Sequence, residues 1–88
     1  MITQNSIEEY SSREHFLTFD LGLATALVAL GYELARLEKE NPKKVQFIFR
    51  RTKNIDFTIN SYWDGKLEID ARTLFEDLKM LKNRIYSA

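Results

Sequence analysis

The feature that most constrains this chain is a nearly unbroken apolar stretch from Leu21 to Leu30. Asp20 precedes it with a side-chain oxygen that can accept a hydrogen bond from the first helical turn, and Gly31 follows it. A helix with so little polar surface is expected to be buried on more than one side. The stretch falls well short of the roughly 20 residues that cross a bilayer. We therefore expect a buried helix of a globular domain.

Three segments have the pattern of β-strands: 15–19, 32–40 and 44–51. In the third segment Val45, Phe47 and Phe49 are apolar at every second position, which indicates one buried face. Pro42 favours a turn between the second and third segments, so these two are predicted to form an antiparallel hairpin. The second segment could also continue the preceding helix, but the glycine before it interrupts that pattern.

The segment 53–63 fits two structures. Every second residue from 55 to 59 is apolar, as in a strand. The same segment also places four apolar or aromatic side chains on one face of a helix: Ile55, Ile59, Tyr62 and Trp63. Asp64-Gly65 suits either a hairpin turn or a helix exit, so the residues alone leave both structures open.

The remaining chain predicts a short extended piece at 66–70 and an amphipathic helix at 71–86. In the extended piece Leu67 and Ile69 are expected to face the core. The expected buried stripe of the helix is Leu74, Leu78, Leu81 and Ile85. Asp70 is expected to cap this helix.

A set of spaced residues runs through 16–86: Thr18-Phe19-Asp20, Leu23-Ala24, Leu27, Gly31, Phe47-Ile48-Phe49, Tyr62-Trp63-Asp64-Gly65, Asp70, Phe75 and Leu78-Lys79. This pattern resembles a family of short proteins from bacteria and their phages that is catalogued as a domain of unknown function. Its most specific part is the Tyr-Trp-x-Gly step. The resemblance implies a helix before Tyr62 and a setting among phage, prophage or mobile-element genes. It implies no activity, cofactor or catalytic residue.

The predicted fold class is therefore α+β, with the element order β-α-β-β-α-α. A small antiparallel sheet of about three strands carries the apolar helix and the C-terminal amphipathic helix on it. We expect a polar N-terminal arm at 1–14 and a single domain at 15–88.

The composition removes several kinds of chemistry. The chain has no cysteine and one histidine, His15, and its three glycines are isolated, so thiolate sites, nitrogen-ligand metal sites and glycine-rich phosphate loops are not expected. Glu68 and Asp70 could share a divalent cation, but the capping role of Asp70 is the favoured interpretation. We predict that the chain is not an enzyme and takes no cofactor or metal.

The formal net charge is zero, which argues against a dedicated binder of duplex DNA. Basic residues nevertheless cluster in the segment 43–53. The candidate binding residues are Arg36, Lys44, Arg50, Arg51 and Lys53, together with the aromatic pair Tyr62 and Trp63. Lysine and arginine on an edge strand also prevent unwanted strand pairing, and that interpretation of the basic residues is favoured. The aromatic pair could stack on a base or anchor a partner, but Trp63 is predicted to pack beneath the last helix.

These observations predict a small, non-catalytic interaction or accessory protein. Its expected partner is another protein or a second copy of the chain, as in a homodimer. The alternative is a nucleic-acid-binding accessory protein that uses the basic segment 43–53. The residues from Met1 to Asn5 lack the features of a secretory signal and no membrane association is expected, so the expected location is the bacterial cytoplasm.

Overall fold

Strands and helices follow one another in the order β-α-β-β-α-α in the computed structural model, which describes residues 13–41 and 43–87. The elements are β1 (His15–Thr18), α1 (Leu21–Ala29), β2 (Leu34–Glu38), β3 (Gln46–Arg50), α2 (Ile55–Trp63) and α3 (Ala71–Tyr86). The predicted α+β class and element order are confirmed. Most of the predicted arm at 1–14, and Pro42 in the predicted turn, lie outside the described residues.

The three strands form one antiparallel sheet with β3 at its centre, between β1 and β2. Phe49 lies opposite Phe16 on one side, and Phe47 lies opposite Leu37 on the other. Because paired residues point to the same face of a sheet, these apolar side chains together form the face that packs against the helices. The predicted hairpin of the second and third strands is confirmed.

Helix α1 begins and ends as its flanking residues predict. The Asp20 carboxylate accepts a hydrogen bond from the amide of Leu23 at 2.8 Å. Gly31 adopts a φ of 95°, the left-handed conformation that stops a helix, and the amide of Tyr32 then donates to the carbonyl of Leu27 at 3.0 Å. All residues from Leu23 to Leu27 are buried, so the prediction of a helix covered on several sides is confirmed.

The core consists of side chains from α1 and from the three elements that pack around it. Its fully buried large members are Leu23, Leu27, Phe47, Phe49, Ile55 and Leu81. Segment 53–63 is helical, as the family resemblance implied, with Ile55 directed into this core. The Tyr32 and Thr58 hydroxyls are 2.7 Å apart and form a hydrogen bond, which ties α2 to the residues just before β2.

Helix α3 is held to the sheet at its C-terminal end. The Lys39 ammonium donates hydrogen bonds to the carbonyls of Arg84 (2.8 Å) and Ser87 (2.9 Å). A cation at this position satisfies carbonyls that have no partner within the helix and also opposes the negative end of the helix dipole. This contact brings β2 and the end of α3 together.

The predicted buried stripe of α3 is only partly correct. Leu81 is fully buried, whereas Leu74, Leu78 and Ile85 are half-buried. Leu81 and Ile85 belong to the half of α3 that packs against the core. Leu74 and Leu78 lie in the first half of the helix, which borders an open cleft and not another element.

We expect Leu81→Ala to lower the free energy of unfolding by about 2–5 kcal/mol, because it removes a fully buried side chain and leaves a cavity. The control is Phe57→Ala, since the Phe57 side chain is 75% exposed and should change stability by no more than about 0.5 kcal/mol. Urea unfolding followed by circular dichroism measures both. Equal effects of the two substitutions would contradict this description of the core.

Candidate interaction cleft

A cleft of about 500 Å³ opens between α1, the connection from α2 to α3, and the first half of α3. Helix α1 lines it with small side chains, Gly22, Thr25 and Ala26. Helix α3 lines it with Ala71, Leu74, Phe75 and Leu78, which recur at the spacing of one helix face. The remaining lining residues are Tyr62, Gly65, Leu67 and Ile69. The cleft is therefore mainly apolar.

The connection at 66–70 keeps the predicted alternation of inward apolar and exposed residues, but Leu67 and Ile69 do not belong to the buried core. It contains no strand, and Leu67 and Ile69 are half-buried along the wall of the cleft. The connection lies beside helices α1 and α3 and has no strand pairing with the sheet. Its apolar residues therefore form part of an accessible surface.

Tyr62 places its ring against the first turn of α1. A Cβ atom at position 22 would lie 2.5 Å from the Tyr62 hydroxyl oxygen, so only glycine at this position allows the observed approach. Burial, and then the nearby Asp20 carboxylate, raise the pKa of Tyr62 above its ordinary value. The hydroxyl is protonated at neutral pH, as in any tyrosine, and with Thr25 it supplies the polar groups of a mainly apolar cleft.

Trp63 does not pack beneath the last helix, so that prediction is wrong. Its side chain is 60% exposed and meets the ring of Tyr62 edge-on, with 4.9 Å between the ring centroids. The reason is helix geometry. Ile55, Ile59 and Tyr62 recur at intervals of four and three residues and share the inner face of α2. Trp63 lies about 100° round the helix from Tyr62 and about 40° beyond Ile59, at the outer edge of that face. Trp63 thus stands outside the core, with its ring against that of Tyr62, which lines the cleft.

Phe75 lies on the rim of the cleft and is 61% exposed. Around it α3 carries charges of both signs: Arg72 and Glu76 form an ion pair at 3.5 Å, and the Lys79 ammonium lies 5.7 Å from the centroid of the Phe75 ring. A large exposed aromatic side chain next to an apolar depression is typical of a protein-binding surface.

The predicted basic residues are largely paired with carboxylates. Arg36 contacts Glu38 at 3.3 Å, Arg50 contacts Glu33 at 3.2 Å, and Arg51 contacts Asp56 at 2.7 Å. Two of these acidic partners lie within a few residues of their arginine along the chain. The third, Glu33, is brought to Arg50 by the pairing of β2 with β3. These ion pairs reduce the positive field that a phosphate backbone would meet.

The basic residues also do not form a continuous stripe. Lys44 lies two residues before β3 and Arg50 ends the strand, so the two are roughly 20 Å apart along the chain. Between them, on the same face of the sheet, Ile48 is fully buried and Gln46 nearly so, although an outward, solvated face was expected. Within the sheet, Ile48 is paired with Leu17 of β1 on one side and with Arg36 of β2 on the other.

Two of the other candidate residues, Lys53 and Tyr62, lie away from this face of the sheet. Lys53 is exposed in the turn before α2, and Tyr62 is on α2 in the helical layer, on the other side of the sheet from Ile48. His15 is half-buried on β1, opposite Arg50 in register. The candidate basic and aromatic residues therefore do not meet at one place.

Asp70 caps α3, as predicted. Its carboxylate accepts hydrogen bonds from the amide of Thr73 at 2.9 Å and from the hydroxyl of Thr73 at 3.0 Å, which lowers the pKa of Asp70. Glu68 is exposed on the adjacent connection. Within 13–41 and 43–87, no three histidine or acidic side chains are grouped so that they could hold a metal ion.

Comparison with protein families places residues 13–87 in DUF5659, a domain of unknown function. The chain belongs to this family. The resemblance seen in the sequence is thereby confirmed, and the matched range contains all six elements and every residue that lines the cleft. Comparisons with curated proteins and with solved structures returned no match. None of the described helices has the length and apolar character to cross a membrane.

The residues that line the cleft were not among the predicted site residues, apart from Tyr62. Leu74 and Leu78 have the spacing of a buried stripe, and Ala26 lies in a segment that is apolar throughout. Both patterns are typical of core residues, so neither predicts a binding site. One signal was available: Phe75 and the Leu78-Lys79 step belong to the spaced pattern that resembles the DUF5659 family.

The close approach of Tyr62 to α1 can be tested by a double-mutant cycle. Alanine gains up to about 1 kcal/mol over glycine in helix propensity. In the unmodified protein a Cβ at position 22 would lie 2.5 Å from the Tyr62 hydroxyl oxygen and 3.3 Å from Asp20 Oδ1. In a Tyr62→Phe background the first contact is gone and the nearest ring atom lies at 3.7 Å, so Gly22→Ala should be less destabilising there than in the unmodified protein. Urea unfolding of the four proteins should give a non-zero coupling energy. Additive effects would mean that the ring does not occupy this position.

Asp70 should stabilise the fold in a pH-dependent way. Its folded-state pKa is lowered, so its contribution is present above the ordinary aspartate pKa and is lost as the pH falls through the lowered value. Asp70→Ala should therefore lower the Tm at neutral pH, and its difference from the unmodified protein should shrink in acid. Asp70→Ser keeps a capping oxygen without a charge and is the control. A deficit of the alanine variant that is constant with pH would contradict the assignment.

Proposed function

We propose that this protein is a non-catalytic interaction protein that binds the apolar side chains of another polypeptide in the cleft. The observation that carries the proposal is the 61% exposure of Phe75, which forms part of the wall of an apolar depression. Aromatic side chains are the commonest anchors of protein–protein interfaces because they bury a large area with few rotatable bonds.

The shape of the cleft favours a polypeptide over an enclosed small molecule. Phe75 forms part of its wall and yet is mostly in solvent, so the depression is continuous with the open surface of α3. An occupant that covers Phe75 must extend beyond the depression itself. A protein surface with a protruding apolar side chain meets this requirement.

The side chains in the cleft support a binding role without catalysis. The ionisable group that lines it is the Tyr62 phenol, which is neutral at physiological pH as any tyrosine is, and its pKa is raised further. Asp20 and Asp70, the carboxylates at the starts of α1 and α3, are each engaged in a helix cap. A nucleophile paired with a base, the usual mark of a catalytic site, is not among the lining residues.

The proposed setting is the cytoplasm of a bacterium, with an accessory role among phage or mobile-element genes. Its support is the resemblance of the sequence to short bacterial and phage proteins. The alternative, nucleic-acid binding through 43–53, has weaker support, because Arg50 and Arg51 are engaged with carboxylates and the basic residues are spread along β3.

The test compares two charge-introducing substitutions in a tagged chain that is used to capture proteins from a bacterial lysate. Phe75→Asp places a charge on the rim of the cleft and should abolish capture of the specific partner. Phe57→Asp is the matched control, since Phe57 is also exposed but does not line the cleft. Quantitative mass spectrometry measures the retained proteins, and the purified partner should then shift the fluorescence of Trp63.

Identical sets of proteins retained by all three baits, together with equal retention of an untagged copy of the chain by all three, would contradict the proposal. Loss of the captured proteins after nuclease treatment would instead favour the nucleic-acid alternative. Circular dichroism of both variants checks that they remain folded.

A further inference from the structure

We infer that the polypeptide that fills the cleft is a second copy of this chain, so that two copies associate about a two-fold axis with Phe75 of each at the cleft of the other. This inference rests on the proposed function and names the partner. It is supported by the placement of the apolar groups, by the charges around them and by the area that the face can bury.

The cleft and the side chain that could fill a cleft lie on the same face of the molecule. Phe75 lines the depression and also projects from its rim. A two-fold interface uses the same surface on both copies, so each copy must offer a protrusion and a depression close together.

The charges around the cleft also suit a second copy. Arg72, Glu76 and Lys79 alternate in sign along the flank of α3 next to Phe75. When two helices pack antiparallel about a two-fold axis, the same flank of each helix meets, so Arg72 of one copy can lie opposite Glu76 of the other. A flank of one sign would instead repel its copy and favour an oppositely charged partner.

The formal net charge of the whole chain is zero, so two copies approach without long-range repulsion. This removes one of the common devices that keep small proteins monomeric. Neither the charges around the cleft nor the net charge of the whole chain therefore opposes self-association.

An exposed aromatic side chain on this face can anchor a specific dimer. Phe75, which is 61% exposed, presents on the order of 130 Å². A standard interface buries about 800 Å² on each partner, so this ring would supply about a sixth of it. The half-buried Leu67, Ile69, Leu74 and Leu78 and the charged flank of α3 lie around the ring, and the remaining area would come from them and from the surface beyond the cleft.

The test is sedimentation velocity of the purified protein up to about 1 mM, a concentration at which a dimer with a tighter Kd is mostly associated. We expect a species of twice the 10.4 kDa chain mass. Phe75→Asp should weaken dimerisation by about thirtyfold or more, as expected for an aromatic anchor. Phe57→Asp should not change it. Ala71→Arg, at an exposed position that lines the cleft, is a second disrupting variant.

A wild-type protein that is monomeric over the whole range would overturn the inference, as would a Phe75→Asp variant that dimerises normally. Equal disruption by Phe57→Asp would also overturn it, because the effect would then not be specific to the cleft. A monomeric chain that still captures another protein through Phe75 would leave the proposed function intact. The two failures are therefore distinguishable.

Discussion

The structure depends on the burial of helix α1, whose residues from Leu23 to Leu27 have almost no contact with solvent. A helix without a polar face cannot lie on the surface of a domain, so the other elements must surround it. The sheet covers it with Phe47 and Phe49, α2 with Ile55, and α3 with Leu81. In a chain of 88 residues without disulfides, this single layer of contacts has to supply most of the stability.

The same helix also explains why a cleft exists. On one side α1 presents small side chains, Gly22, Thr25 and Ala26, which let neighbouring elements approach without filling the space between them. Tyr62 takes up part of that space by lying directly over Gly22. The first half of α3 stays apart from α1 there, so Leu74 and Leu78 are covered only in part. The cleft thus arises where small residues face an apolar stripe across an incomplete layer.

Sequence signals that act within a few residues predicted the fold well. Asp20 and Gly31 set the bounds of α1, and the alternation around Phe47 and Phe49 identified the central strand. The conformation of 53–63 could not be decided locally, because its apolar residues fit either period and the choice depends on how Ile55 enters the core. The resemblance to related sequences supplied that information.

The candidate site was harder to predict, because exposure depends on what the rest of the chain leaves uncovered. Trp63 is a large apolar residue of the kind that usually packs in a core. It is exposed because of its position around the axis of α2 relative to Tyr62. The charge clustering at Arg50 and Arg51 is evident in the sequence, but Glu33 reaches Arg50 only through the pairing of strands. Patterns of residue type therefore identified the buried layer, but they predicted a larger basic surface than the structure has.

Stability and binding are carried by different side chains in this arrangement. Leu81 and Leu27 are fully buried and contribute their transfer free energy to folding, whereas Phe75 keeps most of its ring in water and contributes little. A small domain gains nothing for its own fold by exposing a large aromatic residue, and such a residue raises the risk of aggregation. Phe75 lies beside a depression lined by apolar residues of α1 and α3, so its contribution to free energy can be realised only when another surface covers it. The exposed ring and the incomplete layer beneath it are therefore the two features on which the proposed binding surface rests.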